Sequence, residues 1–135
     1  MTETITLVSD QKVLADVEIF CQAFADKYQL SEDTLDSILI AITELVNNAI
    51  IHGNKSDITK KVTVRLIKND GELIIEVMDE GDGFDENIIS DPTSEENLYK
   101  TSGRGIFIVK HMSKSFKHFY RDNHHVAQLI FDLSS

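Results

Sequence analysis

A single cysteine, Cys21, among 135 residues excludes an internal disulfide and fits a reducing, cytoplasmic setting. Its neighbours Val13, Leu14, Val17, Phe20 and Phe24 recur at three- and four-residue steps. Cys21 is therefore expected to pack on the core face of a helix rather than to react. Basic residues are also scarce, with 13 Lys and Arg against 23 Asp and Glu for a net charge of −10. Such a surface repels phosphate backbones, so no direct nucleic-acid partner is expected. Long apolar runs are missing: each is under about eight residues where a membrane span needs roughly 20, so no membrane partner is expected. Met-Thr-Glu-Thr-Ile at the start has neither a basic residue nor an apolar stretch, and no signal peptide is expected. Proline occurs once, at Pro92, and glycine six times. The remainder, 41% hydrophobic and 27% charged, suits one soluble domain over residues 1–135 with a real core.

Along the chain, Thr4 to Val8 alternates weakly, as an edge strand does. Asp10 is placed to cap a first helix, and Ser31, followed by Glu32 and Asp33, to cap a second. The second is expected to run to about His52 and to stop at Gly53-Asn54. Lys61 to Lys68 and Glu72 to Met78 read as two strands around the tight turn Asn69-Asp70-Gly71. Residues 85 to 102, with the proline and little periodicity, read as a long loop. A helix is expected from Gly103 to Lys114, then strands Phe116 to Arg121 and Val126 to Leu133 turned at Asp122-Asn123. Helices grouped with an antiparallel sheet make an α+β two-layer sandwich.

Three stretches carry chemistry. On the second helix Leu35, Ile38, Leu39, Ile42, Leu45, Val46 and Ala49 form one apolar arc at about 100° per residue. Glu44 and Asn48 lie one turn apart on the other side, with His52 a turn further. Read alone this is a solvated polar face. Yet the stretch has no lysine, and a carboxylate beside the amides of Asn47 and Asn48 suits a polar pocket. An amide oxygen can bind Mg²⁺, and a carboxylate one turn away can take a proton from an attacking hydroxyl.

The second stretch is Asp79-Glu-Gly-Asp-Gly83-Phe84, at the end of a strand. Glycine is useful where φ must be positive or where something approaches the backbone closely. The alternative is a simple acidic turn. An EF-hand fails, because Gly81 and Gly83 would stand at its third and fifth positions without ligand oxygens. A dinucleotide fingerprint fails because Glu86 replaces the third glycine. There remains an aspartate that needs a donor, such as an adenine amino group, beside backbone that a flat ligand can touch. The third stretch is Thr101-Ser-Gly103-Arg104-Gly105-Ile106. Glycines opening a helix leave N–H groups for phosphate, and the Arg104 guanidinium adds a charge for phosphate or a partner. A Gly pair before a helix is common, and the P-loop pattern is absent.

In this order the three resemble the ATP-binding domain shared by gyrase, histidine kinases and mismatch-repair ATPases, whose N-box, G1 box and G2 box they match, with a lid between the last two. "ITELVNNAIIHG" and "SGRGIFIVKHM" are most similar to the anti-sigma factor serine-protein kinases. The resemblance covers roughly residues 35 to 133 and extends, with the first strand and helix, to the whole chain. It implies a sandwich of the Bergerat type, a mixed, mostly antiparallel sheet with helices on one face. It implies ATP and Mg²⁺, with Asn48 holding the metal against the phosphates and Glu44 as general base for a serine hydroxyl. Asp79 would accept the adenine amino proton, Gly81 and Gly83 would let base and lid pack, and Gly103 and Gly105 would present amides to phosphate. Such catalysis is mostly positioning and charge neutralisation. The implied partners are an anti-anti-sigma antagonist that is phosphorylated and a sigma factor that is sequestered, with a homodimer formed through the N-terminal strand and helix.

The chain departs from the family near its last strand. Where a Gly-Thr pair usually supports adenine recognition, "NHHVAQL" places His124 and His125. Two other functions compete. A histidine-kinase catalytic domain needs a phosphoacceptor histidine upstream, and none precedes His52. A non-catalytic, nucleotide-gated docking module does not need the Glu44–Asn48 pair. His111, His118, His124 and His125 match no common metal-ligand spacing.

Overall fold

The computed structural model describes residues 1–80 and 113–133. The expected lid, Gly81, Gly83, Gly103, Arg104, Gly105 and nearly all of the expected helix from Gly103 lie outside the described residues. The exceptions are Ser113 and Lys114, neither of which is helical; the Lys114 N–H donates to the Ile130 carbonyl at 2.7 Å, leading into the sheet.

Strands β1 (Thr2–Val8), β2 (Lys61–Asn69), β3 (Glu72–Asp79), β4 (Ser115–Arg121) and β5 (His124–Asp132) form one sheet in the order β1-β2-β3-β5-β4. Every ladder among the described residues is antiparallel. Period-two alternation decides its two faces. Val62, Val64 and Leu66 of β2, Leu73, Ile75 and Val77 of β3, and Leu129 of β5 are all buried and share one face. Helices α1 (Leu14–Lys27) and α2 (Glu32–Asn48) cover it with Val17, Cys21, Phe24, Ile38, Ile42 and Val46. Cys21 is the core residue its spacing predicts. Burial, with Glu18 nearby, pushes its thiol up to about 12, far from reactivity.

Ser31 caps α2 as expected, its Oγ accepting from the Thr34 N–H at 3.1 Å. Asp10 caps only a short 3₁₀ turn, Gln11–Val13, before α1 begins. With the turn after it, α2 makes a 22-residue stretch, Glu32–Gly53, with the length and hydropathy of a membrane span. Its apolar arc is spent on the sheet instead, with Leu35, Ile38, Ala41, Ile42, Leu45 and Val46 in the core.

The helical stretch ends where the sequence expects, at Gly53-Asn54, but its last turn is not regular. Regular helix stops at Asn48, and Ala49–Gly53 widens into a π turn. The Asn54 N–H reaches five residues back to the Ala49 carbonyl at 2.8 Å. The cause lies outside the helix. Asn54 is buried, donating through Nδ2 to Ser9 Oγ (2.7 Å) and the Lys61 carbonyl (3.0 Å), while its Oδ1 accepts from the Glu80 N–H (2.9 Å). One amide thus ties the helix end to the ends of β1, β2 and β3, and the helix opens by a residue to let it do so.

The β4–β5 hairpin turns on Asp122 and Asn123, at φ 53° and 66°. Paired positive φ values match the right-handed twist of the strands. This tight turn starts β5 at His124, two residues before the expected Val126, and so brings His125 into register with Asp79.

The other sheet face centres on Glu76, which is buried although charged. It accepts two bonds from Arg121 (2.9 and 3.0 Å) and one from Gln128 (2.8 Å), with Arg65 at 3.6 Å. The Arg121 fork holds the Glu76 carboxyl below its ordinary 4.5. Its stabilising contribution is therefore complete above that value and lost as pH falls through the lower folded one. Arg121 is more than a third exposed, which limits the gain. Glu76→Gln is expected to cost about 1–2 kcal/mol at neutral pH. In urea unfolding, the gap from the parent protein should close as pH drops below about 4.5; a gap that does not change with pH counts against the fork.

Candidate functional site

Where α2 crosses β3 and β5, a cleft of about 280 Å³, counting the part open to solvent, is lined by Leu45, Asn48, Ala49, Val77, Asp79, His118, His125 and Ala127. Two of the sequence-predicted residues meet there. Asn48 projects from the last turn of α2, and its side chain is nearly buried. Asp79 ends β3 on the core face, where the alternation of Leu73, Ile75 and Val77 puts it. Glu44 sits one turn before Asn48 and outside the lining. Of the two amides expected in the pocket only Asn48 borders it, since Asn47 accepts from Gln11 Nε2 at 3.1 Å on the helix's outer side. His52 does not line the cleft.

Glu44 is half-buried, and its Oε2 is buried with no hydrogen-bond partner among the described residues. Burial raises its carboxyl above the ordinary 4.5. A partly desolvated carboxylate of this kind is a stronger base than one in water.

Asp79 is held on two sides. Gly53 lies so close that a Cβ there would come within 2.4 Å of Asp79 Cγ and Oδ2 and 2.8 Å of Oδ1. Gly53 thus serves less as a helix stop than as the floor beneath the carboxylate. On the other side, His125 Nδ1 is 3.0 Å from Asp79 Oδ2, both side chains being almost completely buried. A carboxylate only accepts, so Nδ1 of His125 carries the proton. Nε2 of His125 then faces His118 Nδ1 at 2.9 Å, the two rings near-parallel with centroids 5.0 Å apart. Tyr120 meets the His125 ring edge-on at 6.0 Å. At the rim, His124 Nε2 stands 3.9 Å from Glu80, whose carboxylate also accepts from the Lys61 N–H. The described residues include no cluster of three or more His, Cys, Asp or Glu side chains able to hold a metal.

The chain matches a known family model, the histidine kinase-like ATPase domain, over residues 7–131. The chain belongs to that family, and within it to the anti-sigma factor serine-protein kinases. An anti-sigma F factor of Clostridium acetobutylicum is 38% identical over 101 residues, 70% of this chain and 67% of the relative. Serine-protein kinase RsbW of Bacillus licheniformis is 35% identical over 69 residues, 51% of this chain and 43% of the relative. Among solved structures, the RsbU and RsbW domains of a Mycobacterium tuberculosis protein superpose with a TM-score of 0.70 at 17% identity, covering 98% of this chain and 32% of theirs. The fold is therefore that of the histidine kinase-like ATPases, as the motif order implies.

Sequence reasoning missed three contributors to the site. In sequence Gly53 is only a stop signal, Asn54 only its neighbour, and His118 only one of several scattered histidines. The adjacent pair His124-His125 was the one local signal, standing where the family usually carries Gly-Thr.

Proposed function

We propose that this chain is an ATP-dependent serine-protein kinase that doubles as an anti-sigma factor. It phosphorylates a serine on an anti-anti-sigma antagonist and sequesters a sigma factor, switching partners and so regulating transcription. It works as one cytoplasmic domain over residues 1–135. The observation that carries this reading is the convergence of Asn48 and Asp79, from helix and strand, on one cleft with the Glu44 carboxylate a turn away. The anti-sigma and serine-kinase names of its relatives supply the partner class.

ATP is the substrate, its adenine amino group donating to Asp79 and its phosphates reaching toward Asn48. Mg²⁺ would supply charge neutralisation on those phosphates. The residues fit it: Asn48 offers a hard amide oxygen at the cleft, and a metal held largely by substrate phosphates requires no carboxylate cage. Glu44 lies where a partner's hydroxyl, rather than the base of the nucleotide, would approach, and takes its proton. Gly81 and Gly83, with Gly103, Arg104 and Gly105, complete the reading as contacts to the base, the lid and the phosphates. A homodimer is supported by β1, which among the described residues pairs only with β2, and by Ile19 of α1, which is 69% exposed.

Asp79→Asn is expected to abolish Mg·ATP binding in a calorimetric titration, and unchanged binding removes the pocket assignment. Labelled ATP with a candidate antagonist should yield phosphoserine. Binding without transfer to any antagonist would favour a docking-only module.

A further inference from the structure

The amide that joins the helix end to the strands stands at the meeting of the two elements that a nucleotide would have to reach together. We propose that Asn54 is a positioning residue of the cleft. It fixes where the end of α2, which carries Asn48, stands along β3, which carries Asp79, so that one ligand can engage both at once. This inference rests on the ATP-binding reading above and deepens it.

Asn54 is 1% exposed, and each of its polar groups is in use. The side-chain nitrogen donates to Ser9 Oγ and to the Lys61 carbonyl, and the side-chain oxygen accepts from the Glu80 N–H. The backbone N–H donates to the Ala49 carbonyl, and the backbone carbonyl accepts from the Asp57 N–H at 3.0 Å. The link to Glu80 falls beside the packing of Gly53 against Asp79. Residues 53 and 54 of the helix end thus meet residues 79 and 80 of the strand end side by side. The joint lies at the Asp79 end of the cleft, one π turn beyond Asn48.

The backbone gives up preferred geometry to make this joint. Regular helix yields to the π turn, where the Ser56 N–H also closes on the Ile50 carbonyl at 2.7 Å. Directly after Asn54, Lys55 and Ser56 both take left-handed φ angles, 54° and 58°, which residues with a Cβ seldom adopt. Such departures persist where the surrounding structure over-determines them, and they gather at ligand sites.

The other contacts of α2 do a different job. Ile38, Ile42, Leu45 and Val46 pack in the core through apolar side chains. Contact of that kind is non-directional and sets how far a helix stands from a sheet more firmly than how far along it sits. A hydrogen bond is directional and weakens steeply when bent. Loss of the Asn54–Glu80 bond therefore leaves helix and strand folded together but less exactly aligned. A ligand held at one end follows its own element and ignores the slip. One held at both ends does not.

The experiment titrates the full chain with Mg·ATP, which carries base and phosphates, and with adenosine, which carries the base alone. Amide NMR shifts follow both, because they register weak binding. The parent should bind Mg·ATP at least about 100-fold more tightly than adenosine, the lower end of the gain when two contacts are joined in one ligand. Asn54→Ala should cut that ratio about tenfold by weakening Mg·ATP, with adenosine staying within about threefold. Glu80→Pro, at an exposed position, withdraws the N–H from the other side of the joint. It should lower the ratio at least about threefold relative to Glu80→Ala, which keeps that N–H, and it decides the matter should Asn54→Ala not fold. Ser9→Ala removes the bond to β1 and leaves the Glu80 link. It should lower the melting temperature and hold the ratio within about twofold of the parent, whereas general loosening of the fold would shift both variants alike. An unchanged ratio in folded Asn54→Ala, or in Glu80→Pro where the alanine variant is unfolded, overturns the proposal while leaving the ATP site standing. An equal fall in Ser9→Ala overturns it too. If the parent binds neither ligand, or Mg·ATP no tighter than adenosine, the ATP-binding reading fails first and takes this one with it.

Discussion

Glu44→Gln is expected to bind Mg·ATP like the parent protein and to transfer phosphate to the antagonist about 100- to 10,000-fold more slowly, the range for a lost general base. The glutamine has the same shape and cannot accept the serine proton. Because Glu44 lies outside the cleft lining, nucleotide affinity should hardly change. Stability should move the other way. Burial raises the folded carboxyl above 4.5, so the ionised form is the disfavoured one inside the fold. A raised carboxyl contributes stability at low pH that is lost as pH rises through the folded value. At neutral pH the parent has lost that contribution and the glutamine variant has no charge to bury, so its melting temperature should equal or exceed the parent's. The parent's transfer rate should rise with pH around a value above that of an ordinary glutamate, as the base sheds its proton. Single-turnover assays over a pH series, with thermal melts of both proteins, check all three statements. Parent-like turnover in Glu44→Gln would remove Glu44 from the chemistry.

Gly53→Ala is expected to be the most damaging single methyl group in the described part of the chain. Its Cβ would come within 2.4 Å of two Asp79 carboxylate atoms, closer than real carbons approach. Relief needs one side to move, and neither is loose. Asp79 is gripped by His125, and the Gly53 backbone belongs to the π turn that Asn54 holds to three strands. Overpacking a site that cannot yield costs about 2–3 kcal/mol, roughly a 10 °C drop in melting temperature at this size. Nucleotide binding should fall further than stability does, because the carboxylate is what gets displaced. Chemical denaturation and a nucleotide titration on the same sample separate the two effects. Wild-type stability would mean that the floor beneath Asp79 is softer than its packing indicates.

Local patterns made much of this legible. The alternation of Val62, Val64 and Leu66 marked β2, and Asp70-Gly71 marked a turn in which Gly71 takes φ +81°. Ser31 marked the start of α2 because its hydroxyl satisfies an N–H only three residues on. The Glu44–Asn48 spacing put both groups on one side of a helix, and strand alternation put Asp79 on the buried face of the sheet. The histidines were harder to read. In sequence they are scattered, and a register that began β5 at Val126 left His125 in a turn. Only the positive φ angles of Asp122 and Asn123 set the shorter loop that pairs His125 with Asp79.

The sequence by itself determined the order of the described helices and strands and the buried face of each, because those depend on periods of 3.6 and 2 and on caps a few residues long. Tertiary structure alone decided what those residues touch. It chose His125 as the donor to Asp79, Gly53 as the floor beneath it, Asn54 as the knot that widens the helix end, and Arg121 as the partner of Glu76. Three of these pairings join residues 45 or 46 positions apart, and Gly53 lies 26 positions before Asp79. No period along the chain encodes such distances; they are set when a burial requirement on one strand is met by whatever donor or gap the neighbouring element brings opposite it.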